Sequence, residues 1–112
     1  MAFNEFLAER VRTLLTMKSK SFTEVKMMGG LAITIDNKMC LGVIHDNLMC
    51  RIDPAIQNEV LRRKGCREMD FTHRPMKGYL YVDAEGYDMD SDLESWVDLA
   101  LEFNPRAKSS KK

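Results

Sequence analysis

Between Leu31 and Ile52 the chain passes through three short apolar segments, LAITI, MCLGVIH and LMCRI, broken by Asp-Asn-Lys and by Asp-Asn. Short runs rich in β-branched residues and bounded by turn formers are strand signals. Connections this brief make neighbouring strands antiparallel. Such a meander must bury one face, and that requirement governs everything around it.

Side-chain alternation sets the expected register. With Asp46-Asn47 as a two-residue turn, His45 faces Leu48, Val43 faces Cys50 and Leu41 faces Ile52. With Asp36-Asn37-Lys38 as a three-residue turn, Ile35 faces Met39, Ile33 faces Leu41 and Leu31 faces Val43. A two-residue turn there would set Ile33 against Cys40 and split the apolar face. The core face is then Leu31, Ile33, Ile35, Met39, Leu41, Val43, Leu48, Cys50 and Ile52. The outer face carries Ala32, Thr34, Cys40, Gly42, Ile44, Met49 and Arg51, more apolar than a freely solvated sheet needs. Within it, Cys40, Ile44, Met49 and Arg51 make a candidate protein-contact patch.

Flanking segments supply the helices. Phe3, Phe6, Leu7, Val11, Leu14 and Leu15 recur at helical spacing, and FTEVKMM then reads as a strand ending at Gly29-Gly30. Asp53-Pro54 has the form of an N-cap followed by proline, opening a helix with Ile56, Val60 and Leu61 inward and Gly65 at its end. Ser91 and Glu94 have capping-box spacing ahead of a stripe of Leu93, Trp96, Val97, Ala100 and Phe103, with Pro105 as the stop. The expected order is α-β-β-β-β-α-β-α. That is a two-layer α+β domain with three helices and an antiparallel sheet of four to five strands. It fills residues 1–105, and residues 106–112 form a disordered basic tail.

Acidic and basic side chains balance at 17 each, so net charge provides no steering toward nucleic acid or a membrane. Three cysteines without a CxxC pair suit a reduced compartment. No apolar run approaches a membrane span and no leader pattern opens the chain, which points to the cytoplasm. No cofactor, metal or catalytic residues are nominated. Cys40 and Cys50 point to opposite faces in the expected register, which opposes a zinc site with His45 and Cys66. Cys66 follows the wrong helix end for a stabilised thiolate, and MMGGLAI lacks the phosphate-binding spacing and lysine of a P-loop.

The segment DFTHRPMKGYLYV gathers Asp70, His73, Arg74, Pro75, Lys77, Gly78, Tyr79 and Tyr81. It reads as a polar clamp and turn leading into a strand, with a protein or ligand contact as the alternative. Together with Lys26-Met27-Met28-Gly29-Gly30-Leu31 and Leu48-Met49-Cys50-Arg51, this segment resembles the signature of the TfoX/Sxy N-terminal domain family. Met28 stands where that pattern often has an aromatic, and His73 where it often has a small residue. The resemblance covers about residues 3–104 and implies a small α+β domain with an antiparallel sheet. Larger members resemble competence regulators with a second, C-terminal domain. This chain looks like a stand-alone member. Its motif positions are Lys26, Gly29, Gly30, Arg51, Arg74, Pro75, Lys77 and Gly78, and the resemblance brings no catalytic residues with it. The expected function is a non-enzymatic interaction module that contacts a protein partner or a second copy. Two alternatives stand beside it. One is nucleic-acid binding through Lys26, Arg51, Arg74, Lys77, Tyr79 and Tyr81, and the other a small enzyme with a pocket near Asp70–Tyr81.

Overall fold

The computed structural model describes residues 3–27, 29–71 and 74–107. In chain order these form α1 (Glu5–Met17), β1 (Thr23–Met27), β2 (Gly30–Ile35), β3 (Lys38–Ile44) and β4 (Asn47–Arg51). A 3-10 turn (Pro54–Ile56) runs into α2 (Gln57–Val60), followed by β5 (Cys66–Phe71), β6 (Arg74–Val82), α3 (Ala84–Tyr87) and α4 (Asp90–Phe103). A last 3-10 turn covers Asn104–Arg106. The α+β class with an antiparallel sheet stands, but the expected element count does not. Among the described residues there are six strands and four α-helices, and the sheet order is β1-β2-β3-β4-β6-β5. The additions are β5, an edge strand rich in charge, and α3, a single turn ahead of the last helix. The second helix shrinks to one α turn after its 3-10 start, though Asp53 caps it as expected by accepting from the Ala55 N–H at 2.9 Å.

The central turns also differ from expectation. Asp36 and Asn37 both take left-handed φ, 56° and 64°, and Ile35 pairs with Lys38. This is a two-residue hairpin turn, for which Asn and Asp are suited, and not a three-residue loop. The apolar face survives because of a β-bulge. Ile33 opposes Leu41, but Thr34 opposes Met39, so Cys40 is the extra residue. A bulge re-aims side chains, and Cys40 and Leu41 both enter the core, 1% and 0% exposed. Met39 moves to the outer phase beside Thr34, and Cys40 leaves it. In the next hairpin Ile44 opposes Asn47, so His45 and Asp46 form the turn, with His45 exposed at φ 53°. Val43 therefore faces Leu48, and Leu41 faces Cys50. That slip of two residues preserves every face.

Leu7, Ala8, Val11 and Leu15 of α1 pack with Leu93, Trp96, Val97 and Ala100 of α4 over the face made by Leu31, Ile33, Leu41, Val43, Leu48, Cys50, Leu80 and Val82. Val60 of α2 and Tyr87 of α3 join the same cluster. The buried apolar residues of all four helices thus lie on one side of the sheet. Asn4 caps α1 by accepting from the Leu7 N–H at 3.0 Å. The capping box expected at Ser91 is absent. The helix starts at Asp90, and Glu94 instead binds Lys18 at 2.8 Å. At the chain's far end Arg106 pairs with Asp53 and Glu102, both at 2.8 Å, and Ala107 is buried. The rest of the expected tail, residues 108–112, lies outside the described residues.

Candidate functional site: the outer face of the sheet

The pairing registers align one row of side chains across all six strands: Val25, Ala32, Gly42, Met49, Tyr81 and Arg67. At about 4.8 Å between strands the row spans roughly 24 Å. Ala32 and Gly42 make a low floor, and Met49 lies down over it. A Cβ at Gly42 would stand 2.7 Å from Met49 Cε and 2.9 Å from the Leu31 carbonyl oxygen. The thioether thus fills the space that a side chain at residue 42 would take. This explains why Met49 is only 2% exposed although it belongs to the outer phase and stays outside the helix-side core cluster. Its unbranched, flexible side chain suits that gap-filling role.

Two cross-strand cation–aromatic pairs frame the floor. Arg51 and Tyr79 pair across β4 and β6, with the guanidinium 5.2 Å from the ring centroid. Arg67 and Tyr81 pair across β5 and β6 at the same 5.2 Å. Both distances lie within cation–π range. Arg51 also reaches 6.0 Å from the Phe103 ring and donates to the Met39 carbonyl at 3.5 Å. Ile44 is half-buried, as are both tyrosines, while Arg67 is exposed and Val25 is 46% exposed at the far end of the row.

The expected site residues therefore separate. Arg51, Tyr79, Tyr81, Ile44 and Met49 share the outer face. Cys40 does not, because the bulge turns it into the core. Lys26 pairs with Leu31 and so falls on the helix-side phase, although it is exposed. Gly29, at φ 80°, and Gly30 carry the chain from β1 into β2. Lys77 is exposed beside Gly78. His73 and the side chains of Asp70, Arg74 and Pro75, with the expected polar clamp, lie outside the described residues. Sequence reasoning missed Arg67, Val25 and Gln57. Arg67 shares a phase with Met69, and Cys66 with Glu68, so each phase mixes an apolar and a charged side chain and no period-2 signal marks the strand.

Gly78 is a structural pivot beside this face. It sits at φ 85°, donates its N–H to Gln57 Oε1 at 2.5 Å and accepts from the Ile52 N–H at 2.7 Å. Gln57 is buried and donates through Nε2 to Glu68 at 3.2 Å. One buried amide side chain thus holds β6 where its pairing with β5 changes register.

The thiols are chemically quiet. Burial pushes Cys40 up to about 12 and Cys66 up to about 11, and holds Cys50 well above the ordinary thiol range. At neutral pH all three stay protonated and weakly nucleophilic. Among the described residues no group of three or more His, Cys, Asp or Glu is placed to hold a metal ion. Nor is any helix among them long and apolar enough to cross a membrane.

No curated protein and no solved structure matches the chain at significant similarity. The TfoX N-terminal domain profile matches residues 15–104, from the end of α1 through all six strands to the end of α4. Domains of that kind are non-catalytic modules of competence and transcription regulators. Since the match takes in most of its length, the chain belongs to the TfoX N-terminal domain family.

Proposed function

We propose that this domain works in the cytoplasm as a protein-contact module, and that its contact surface is the outer face of the sheet. The observation that carries this is the six-strand row, whose apolar floor is bordered by two arginine–tyrosine pairs while the helices pack on the other side. A buried apolar centre with Tyr, Met and Arg around it is the composition enriched at protein interfaces. The partner is a second copy of the chain or another protein.

Light scattering and affinity capture test this, with Ile44→Glu and Arg67→Glu as the perturbing variants. Both positions lie outside the core cluster, so melting should change little while the dimer or the captured partner is lost. Met49 is not a useful probe, because a charge there would be driven under the tyrosine row and would unfold the sheet. A strictly monomeric protein that captures nothing, or capture unaffected by both variants, would reject the reading.

The same arginines and tyrosines favour one alternative, a single-stranded nucleic acid stacking on Tyr79 and Tyr81. Titration with DNA and RNA at low and physiological salt decides it. Phosphate-driven binding must weaken steeply with salt, and absence of binding at low salt removes it.

A further inference from the structure

On the opposite side of the molecule, α1 carries more apolar surface than the sheet consumes. Leu7, Ala8, Val11 and Leu15 face the core, yet Phe6, Leu14 and Met17 continue around the helix. Phe6 is 76% and Met17 74% exposed. Isolated exposed hydrophobes are ordinary, but these line one cleft of about 380 Å³ between α1 and α4, floored by Leu93. From Phe6 to Met17 the groove follows about 16 Å of helix, three turns.

The rim has a sign. Glu9, Asp90 and Glu94 border the cleft, and among the described lining residues the one cation is Arg10, while Arg12, behind the rim, pairs with Glu9 at 3.1 Å. The Arg10 guanidinium is already committed to the Asp90 carboxylate at 2.9 Å and to the carbonyls of Tyr87 and Asp88 at 3.4 and 2.9 Å. Asp98 extends the acidic edge along α4, sharing Lys18 with Glu94. Both walls are helices with their backbone groups bonded internally. An extended peptide would find no main-chain partners there, whereas a helix satisfies its own. We propose that the α1–α4 groove receives a basic amphipathic helix of a partner protein, with apolar residues against Phe6, Leu14, Met17 and Leu93 and cations along Glu9, Asp90 and Glu94.

A capped 15-residue Leu/Lys peptide with helical leucine spacing, compared with its Leu/Glu counterpart, tests this by titration calorimetry. The expected result is saturable 1:1 binding of the Leu/Lys peptide, with the Leu/Glu peptide at least about tenfold weaker. The double variant Phe6→Ser/Met17→Ser should weaken binding by about tenfold or more. Glu9→Gln/Glu94→Gln should weaken it about threefold at low salt and less at high salt. Ile44→Glu, on the far face, should leave it unchanged. The altered groove positions are exposed, so the variants should fold, and melting curves check that they do. The proposal is overturned by failure of the Leu/Lys peptide to saturate, by equal affinity for both peptides, or by indifference to Phe6→Ser/Met17→Ser. It is overturned equally if the parent protein is a dimer that Phe6→Ser/Met17→Ser dissociates, since the groove would then belong to a second copy.

Discussion

Gln57→Ala removes the side-chain acceptor that serves the Gly78 amide. In the parent, Gln57 Oε1 lies 2.5 Å from that nitrogen, and both residues are buried. The Gly78 carbonyl already serves Ile52. Its N–H has left the strand ladder, because Glu68 opposes Leu80 while Asp70 opposes Pro75, placing the irregularity on β6. Truncation therefore strands a buried donor, at a cost of about 1–3 kcal/mol. Lost packing of the glutamine stem adds to this, for a total of roughly 2–4 kcal/mol. In a urea titration that total lowers the midpoint by roughly 1 M or more, with the slope little changed. Hydrogen exchange gives the local readout. The Gly78 amide should lose protection beyond the global destabilisation, whereas amides in the β2–β3 ladder should lose only the global amount. Gln57→Glu keeps an acceptor but sets a second carboxylate beside Glu68, so it should fall between parent and alanine variant. A Gln57→Ala midpoint within about 0.2 M of the parent would show that water or a backbone shift satisfies Gly78, and the pivot argument would fail.

Gly42→Ala should lower Tm by about 5 °C or more in a thermal melt, from overpacking of about 1–3 kcal/mol. Met49 Cε, 2.7 Å from the new Cβ, can swing aside, but the Leu31 carbonyl at 2.9 Å is backbone, so an unchanged Tm would contradict the row geometry. The buried thiols predict alkaline weakening. The folded value of Cys40 lies at about 12 against an ordinary 9.0, so the unfolded chain ionises first and binds fewer protons. Its stabilising effect is complete below about pH 9 and is lost as pH rises toward 12, with a slope of up to about 1.4 kcal/mol per pH unit. Under reducing conditions the urea midpoint should fall between pH 9 and 11, and Cys40→Ala should make that fall shallower; a slope that Cys40→Ala leaves untouched would refute the assignment.

What the sequence made legible was phase. Alternation in LAITI, MCLGVIH and LMCRI identified which side chains share a face, and a slip of two residues in the second hairpin did no harm because the period is two. The bulge at Cys40 was illegible. It depends on whether the chain closes the tighter Asp36-Asn37 turn and absorbs the odd residue, and no local composition reports that choice. The stripe of α4 was readable while its start was not, since Glu94 is drawn to Lys18, a residue on another element. Strand β5 was hidden by Arg67, Glu68 and Asp70, which suit an edge strand but mimic a loop when read alone. Gln57 gave no signal at all, because its role exists only once Gly78 has been brought to it.

Phase, however, does not determine exposure, and this distinction decides what the outer face can do. Met49 points away from the helices and is still shielded from water, because Ala32 and Gly42 leave a depression that its own side chain fills. The sheet thus covers the centre of its own outer face without a second layer, and at one end of the row stand the half-buried Arg51, Tyr79 and Tyr81 and the exposed Arg67. A partner docking there would meet little bare hydrocarbon at the centre and would gain mainly from Tyr79, Tyr81 and the arginines already stacked on them. Because those cations are pre-positioned by the rings, ordering them on binding costs less than it would for free arginine side chains. Affinity at this face should therefore depend more on Arg67 and Tyr81 than on the buried methionine that first marked it as apolar.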